Sequence, residues 1–403
     1  MTRLFLCLFD AFNVPLLSLI VRMSALGVDL VRRQQLFRIF LFIWSLVFAG
    51  AGWTFTFNQS AMSLQRFLEE NPSQLPLIEQ LSVRVHSQPS PLVTTYPETQ
   101  KIAVVLRDSP NMPQNQAWFF AFKRRMQELN IDFRLDVFHA ARSAGTVSMV
   151  QIYEKIQSAD FDYVIADGVD DYNRPLIERL LKMDDKQVIL LNSFAPSPAW
   201  HLHPPLLYIG TDVARMMQRL ASLLHRALTE DAIIDAILAS DEMTGQNQCQ
   251  MFLNELSHLG RGIRHRYQSV NSKSEAHEIA NDLLQSGQHK DGQYFIFACT
   301  PDISEGVVAA LEASQSRATT NAWLGQNGLE NAHQKGLLMV TVLEMKDYMA
   351  IAAAEAIKAD MESRLLPRVF SESVTFLTQE MDQQTRNLIF QQALQYSSTL
   401  WPR

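Results

Sequence analysis

The sequence predicts an α/β protein made of two doubly wound, mostly parallel sheets in tandem. Three observations predict it. From Lys101 nearly to the C-terminus, short β-branched runs alternate with amphipathic segments of helical length, which is the pattern of repeated βαβ units. The alternation runs once to about Ile209 and restarts near Ala214, so there are two series. The chain of 403 residues is also about two to three times the length of a typical single domain.

In the first series, strands are predicted at 101–106, 133–138, 163–166, 187–191 and 207–209. The helix predicted at 116–129 sets Phe119, Phe122, Met126 and Leu129 on one face. Helices at 149–156, with Ile152, Tyr153 and Ile156 together, and at 175–183 follow in the same way. The second series has strands at 232–238, 263–267, 294–298, 319–323 and 338–343. Its helices fall at 216–228, 248–259, 275–285, 303–313, 329–335 and 349–361. Ahead of both lies a polar helical arm within 60–98, with Leu64, Phe67, Leu68, Leu77, Ile78 and Leu81 apolar and Pro89, Pro91 and Pro97 ending it.

Residues 1–51 have a different character. They carry five basic and two acidic residues, and the basic cluster of Arg32, Arg33 and Arg38 precedes an apolar stretch at 39–51 that ends Ala49-Gly50-Ala51. That order is the n-, h- and c-region of a secretory signal with a small-x-small cleavage pattern. A second apolar run at 4–21 makes the leader long, and Met23 offers an alternative start. The stretch 36–57 approaches the roughly 20 residues that span a bilayer, so an uncleaved anchor is the other reading of this segment.

Composition and missing motifs remove several functions. Hydrophobic residues make up 47% and charged residues 19%, which are the proportions of a globular chain. A net charge of −7 gives no attraction to phosphate backbones, and no basic helix-turn-helix opens the chain, so neither nucleic acid nor transcriptional regulation is expected. Cys7, Cys249 and Cys299 are too few and too scattered for a disulfide framework or a zinc site, and Cys299, ending an apolar strand, reads as a buried thiol, with the sequence leaving open whether Cys249 approaches it. No Gly-x-Gly-x-x-Gly, Gly-x-x-x-x-Gly-Lys-Ser/Thr or Gly-x-Ser-x-Gly is present, so no nucleotide cradle or nucleophile elbow is expected. His201-x-His203 lacks a third ligand nearby, and Asp170-Asp171 and Asp184-Asp185 read as solvated acids flanking a helix. No catalytic residue, metal or cofactor is expected.

Doubly wound sheets bind ligands at the carboxyl ends of their strands, so the informative residues are those that follow strands directly. Asn192, Asp241, Asp302 and the segment Trp323-Leu324-Gly325-Gln326 occupy such positions. A carboxylate acceptor, an amide that both donates and accepts, and an aromatic face are what a polyol needs, and Asp302, Asn192 and Trp323 are those types. Each also has a plainer explanation, and Asp302 ahead of Ile303 would serve equally as a helix cap.

Several segments together carry a family resemblance. They are Phe67-Leu-Glu-Glu-Asn-Pro72, the arm ending Gln88-Pro-Ser-Pro-Leu92, Phe122-Lys-Arg-Arg-Met-Gln-Glu-Leu-Asn-Ile131, Val188-Ile-Leu-Leu-Asn192, Phe297-Ala-Cys-Thr-Pro-Asp302, Asn321-Ala-Trp323 and Ala354-Glu-Ala-Ile-Lys-Ala-Asp360. From about residue 60 to 400 the chain resembles type I periplasmic binding proteins, and among them the LuxP-like autoinducer-2 receptors. The resemblance implies two lobes joined by three crossovers: 99–213 with 345–370 as the first, and 214–344 with 371–403 as the second. It implies a periplasmic location, a small polar or sugar-like ligand between the lobes, and signalling to a membrane sensor histidine kinase of the LuxQ type, as in quorum sensing. The alternative is a sugar-binding protein that delivers its ligand to an ABC permease.

Carried over by position, the ligand contacts implied by the resemblance match at Asn192, Asp302 and Trp323. Elsewhere the chain departs from the family. An aromatic contact aligns with Asn115, polar contacts with Pro110 and Met112, a threonine with Pro301, and two arginines with Gln248 and Glu344. Losing two guanidinium groups and gaining a carboxylate shifts the local charge by about three units, which must be compensated in a closed cleft. An anionic borate diester would be poorly held there, so a neutral or cationic small polar molecule is expected instead.

Overall fold

The computed structural model describes residues 64–401 apart from short segments at 94–97, 141–144, 194–195, 241–245, 270–271, 287–291, 315 and 373. The predicted leader and Asp241 lie outside the described residues.

The arm comes first, as two helices: α1 (Leu64–Glu70) and α2 (Gln74–His86). They break at Asn71-Pro72, where proline removes a backbone donor, and the Asn71 amide bonds back to the Phe67 carbonyl at 3.0 Å. The first series then runs β1 (Gln100–Leu106), α3 (Pro113–Glu128), β2 (Phe133–His139), α4 (Gly145–Ser158), β3 (Tyr163–Asp167), α5 (Arg174–Leu181), β4 (Gln187–Leu191) and β5 (Leu207–Thr211). The second runs α6 (Val213–Ala227), β6 (Ile233–Ala239), α7 (Gln246–His258), β7 (His265–Ser269), α8 (Lys273–Gln285), β8 (Tyr294–Ala298), α9 (Pro301–Ser314), β9 (Thr319–Trp323), α10 (Leu329–Gln334) and β10 (Leu338–Glu344). The chain ends in α11 (Lys346–Met361), β11 (Val369–Glu372), β12 (Val374–Thr378) and α12 (Gln383–Ala393).

These strands form two six-stranded sheets, ordered β11-β5-β4-β3-β1-β2 and β12-β10-β9-β8-β6-β7. The pairings are parallel except that of β12 with β10. Because helices cover both faces of such sheets, β3, β8 and β9 are buried along their whole length rather than alternating. The chain passes between the sheets three times: after Thr211, after Glu344 and after Glu372. The pair β11 and β12 was not among the expected strands. At four and five residues they are too short for a periodic signal, and they act as edge strands.

Local chemistry sets the helix starts. Asp212 accepts from the Arg215 amide at 3.0 Å and Asp382 from the Thr385 amide at 2.7 Å, capping α6 and α12. Ser272 and Glu275 form the first turn of α8 in the Ser-x-x-Glu spacing of a capping box. Helix α3 begins three residues earlier than its apolar periodicity indicates, because Pro113 is pre-set for a first helical turn.

The arm wraps the edge of the first sheet at β11. Phe67 of α1 joins the core on one face, with Ala103, Val105 and Val369, whereas Leu81 and Val85 of α2 join the opposite core, with Ile102, Val104 and Phe370. Leu81 and Val85 are fully buried, which contributes about 1.5–3 kcal/mol each. Arg125 of α3 fixes the arm from inside. It donates to Glu355 of α11 at 2.6 Å and to the carbonyls of Arg84 and Ser87 at 2.8 and 3.2 Å, so its charge is paired and its donors are used.

Cys249 of α7 and Cys299 after β8 are joined in a disulfide; Cys299 is buried as expected but bonded to Cys249 rather than a thiol. The reason lies in the topology. Cys299 follows β8, which pairs directly with β6, the strand that leads into α7, so positions 50 apart in sequence become neighbours. Closing a loop of that length stabilises the fold by about 4 kcal/mol in the chain-entropy account. Among the described residues, no helix is long and apolar enough to cross a membrane.

Helices α8 and α9 approach closely because residue 306 is glycine: a Cβ there would sit 2.3 Å from the Lys273 carbonyl oxygen and 2.8 Å from the Ala276 Cβ. Both obstacles are rigid. The substitution Gly306→Ala is expected to destabilise the protein by about 1–3 kcal/mol through overpacking, and thermal denaturation of purified protein checks it. An unchanged or raised melting temperature would show that the helix pair has slack.

Candidate functional site

A cavity of about 510 Å³ opens between the two sheets, at the carboxyl ends of their strands. The first sheet lines it with Asp108 beyond β1, Asp167 ending β3 and Asn192 just after β4. From the second sheet come Pro301, Asp302 and Glu305 in the first turns of α9, Gly325 and Asn327 after β9, and Glu344 ending β10. Lys346 at the second crossover, Asn115 and Trp118 on α3, and Trp401 from the C-terminal tail complete the wall.

Several groups are held before any ligand arrives. Asn192 has a φ of 49°, a left-handed conformation that asparagine adopts more readily than other side-chain-bearing residues, and its amide donates to Asp167 at 2.6 Å. The second Asp167 oxygen accepts weakly from the Arg107 backbone N–H at 3.4 Å. The Arg107 guanidinium faces Asp170 instead, 3.9 Å away, and occupies the space a side chain at Gly168 would need. The Asn115 amide donates to the Ser109 carbonyl at 2.9 Å, which fixes the turn into α3.

On the opposite wall the two carboxylates of α9 differ. Burial pushes Glu305 up, but the Asn327 backbone N–H, Lys273 at 3.1 Å and the Asn327 amide outweigh it and hold Glu305 below the usual range. Asp302 has no such support. Burial, and then the neighbouring Glu305, raise it above the ordinary aspartate value, with Lys273 only partly opposing. At the crossovers, Glu344 accepts from Thr211 at 3.3 Å and pairs with Lys346, which ties the first and second passages together.

The aromatic surfaces of the cavity come from Trp118 and Trp401 rather than Trp323. Trp118 stacks on Phe122 with ring centroids 4.9 Å apart, and its buried indole N–H has no hydrogen-bond partner. Trp401 is placed by a relay. Buried Asp347, in the first turn of α11, accepts from the backbone N–H groups of Tyr396 and Ser397 at 2.7 and 2.9 Å and from the Ser397 hydroxyl, which in turn accepts from the Trp401 indole at 2.9 Å. The ring then packs over Gly325, whose φ of 90° and missing side chain let it approach.

Of the six residues expected at the site, the structure gathers Asn115, Asn192, Asp302 and Glu344 around one cavity. Trp323 and Gln248 are not among its lining residues. Trp323 is buried behind the wall, where its indole donates to the Ala298 carbonyl at 2.9 Å, and Gln248 lies half-buried on α7 beside the disulfide. Asp108 and Asp167 went unnoticed, although the strand-end rule that singled out Asn192 applies to both. Trp118 lies three residues beyond Asn115 on the same helix and was legible by spacing. Nothing in the sequence marked Trp401. Among the described residues, no group of three or more His, Cys, Asp and Glu side chains is gathered to hold a metal.

No protein-family model matches the chain. Solved structures do match in fold. A periplasmic ribose ABC transporter protein from Conexibacter woesei superposes with a TM-score of 0.60 at 14% identity, covering 72% of this chain and 95% of its own. The substrate-binding protein of a sugar ABC transport system from Bordetella parapertussis gives 0.59 at 11%, covering 79% and 98%. The XylFII–LytSN complex gives 0.53 at 14%, covering 70% and 99%. The architecture is that of type I periplasmic binding proteins, two α/β lobes joined by three crossovers.

The Asp347 relay makes a pH-dependent expectation. Burial raises Asp347 above its ordinary value of 3.8 despite the Ser397 and Tyr396 bonds, so the folded protein holds this proton more tightly than the unfolded chain. The group's contribution to stability is therefore complete below the unfolded pKa and is lost as pH rises through the raised folded one. Relative to Asp347→Asn, which does not titrate, wild-type protein should gain stability as pH is lowered from neutral toward about 4. Denaturant unfolding of both proteins across that range reads the difference, and a gap that is flat or moves the other way contradicts the assignment.

Proposed function

We propose that the protein is an exported receptor that shuts its two lobes on a small polar ligand and reports the bound state to a membrane sensor histidine kinase of the LuxQ type. The observation that carries this reading is the interlobe cavity, lined at strand ends by amides, carboxylates and two indoles. The protein is a binding protein and not an enzyme, in keeping with the transport proteins that share its fold. On this reading Asn115, Asn192, Asp302 and Glu344 meet the ligand, while Trp323 and Gln248 support the wall from behind. The lobes comprise 99–213 with 345–370 and 214–344 with 371–403, except that β11 carries the first lobe on to Glu372.

The Cys249–Cys299 bridge supports a periplasmic location, since disulfides persist in oxidising compartments, and the leader at 1–51 supports export. The arm supports signalling, because a segment clamped to the outside of the first lobe adds surface without adding to the cavity. A solved complex of this fold, XylFII–LytSN, supports the idea of a protein partner. The second reading, delivery of a sugar to an ABC permease, is favoured by the transporter proteins of the same fold. Capture from an envelope extract distinguishes the two: a kinase supports the receptor and a permease supports transport.

The borated autoinducer is not the expected ligand, because Gln248 and Glu344 stand where the LuxP-like receptors have arginines. Calorimetry with autoinducer-2 in borate buffer should show no binding tighter than about 1 μM. Tighter binding would refute that exclusion. Mass spectrometry of small molecules released from natively exported protein is expected to identify a polar solute of low mass. Protein that carries none, and takes up none from envelope extract, would overturn the receptor reading itself.

A further inference from the structure

The cavity's charge is unbalanced in one direction. Asp108, Asp167, Asp302, Glu305 and Glu344 face it, against Lys346 alone among its lining residues. Two of the five carboxylates are matched from within: Glu344 by Lys346, and Glu305 by Lys273 from the side. Of the other three, Asp108 and Asp167 have no cationic partner among the described residues, and Asp302 feels only Lys273, which is bonded to Glu305. Asp167 is held only by an amide and a backbone N–H, and Asp108 and Asp302 have neither ion pair nor hydrogen bond among the described residues. Carboxylates alone would also suit the hydroxyls of a neutral sugar. What decides between the two is the lack of guanidinium or ammonium groups to offset them once the lobes close and water leaves, when uncompensated like charges become costly.

The carboxylates are also spread around the wall rather than gathered, so they do not form a chelate for a metal ion. An extended organic cation meets that spacing better. Two indoles line the same cavity, and a cation over an indole face gains about 0.5–2 kcal/mol.

Resting on the receptor reading above, we infer that the ligand is a small organic cation bearing an ammonium or guanidinium group, of the class of amino sugars and amino alcohols. Its cationic group is held by Asp302, while Asp108 and Asp167 keep the facing wall negative.

The test is a set of skeletons, each offered in matched cationic, neutral and anionic forms: glucosamine, glucose and gluconate, with shorter amino alcohols beside the corresponding diols and hydroxy acids. Thermal shift and calorimetry on the full chain are expected to show binding by cationic members, at least tenfold tighter than their neutral counterparts. Asp302→Asn, at a solvent-open first-turn position, should weaken the cation at least tenfold while leaving the unfolding temperature of the free protein within a degree or two. A neutral or anionic member bound as tightly as its cationic counterpart overturns the inference and leaves the receptor reading standing, as does cation binding indifferent to Asp302→Asn in a protein with native circular dichroism. Silence from every member, whatever its charge, counts against both.

Discussion

Parallel strand pairing is the constraint from which the rest of this structure follows. A parallel pair cannot be joined by a hairpin, so each strand must return through a helix and all strands of a sheet end at the same edge. Two such sheets whose carboxyl edges face one another create a cleft by topology before any side chain is chosen. The three crossovers then keep the edges in register. Thr211 and Glu344 lie at the first two crossovers and share a hydrogen bond of 3.3 Å, with Lys346 paired to the same carboxylate. Glu344 and Lys346, which join the lobes, therefore also belong to the cleft wall.

That topology explains which residues were readable from sequence. Asn192 and Asp302 were singled out because each comes soon after an apolar run, Asn192 directly after β4 and Asp302 four residues past the end of β8, and the cavity lies where such runs end. Trp323 met the same rule and yet lies behind the wall. A β-strand turns successive side chains to opposite faces, and Trp323, the last residue of β9, turns toward its neighbour β8, where the Ala298 carbonyl takes its N–H. Position along the chain was legible in this case, and direction was not. Trp401 was hidden for a different reason. It enters the cavity through Asp347 and Ser397, contacts between segments about 50 residues apart, and no local pattern records such a meeting.

The same distinction runs through the fold. Buried parallel strands such as β3 and β8 announce themselves as continuous apolar runs, whereas β11 and β12 are short edge strands and give no such signal. The disulfide between Cys249 and Cys299 was likewise beyond reach, because it depends on β6 and β8 lying side by side with α7 packed over them. Strand order is a property of the sheet and not of any window of sequence. The arm at 64–86 was legible as helix, but the turn of its two halves onto opposite faces of the first sheet follows only from the alternation of Val104 and Val105 across β1.

Helix α3 links these observations into one mechanical unit. Trp118 faces the cleft near its start, and two turns later Arg125 is pinned to Glu355, Arg84 and Ser87. Two turns of α-helix span about 10 Å and do not bend without cause. The arm is fastened to the first lobe by these bonds and by Gln74, which accepts from the Arg368 backbone N–H at 2.7 Å just ahead of β11. The first lobe, the arm and the indole at the cleft must then move together.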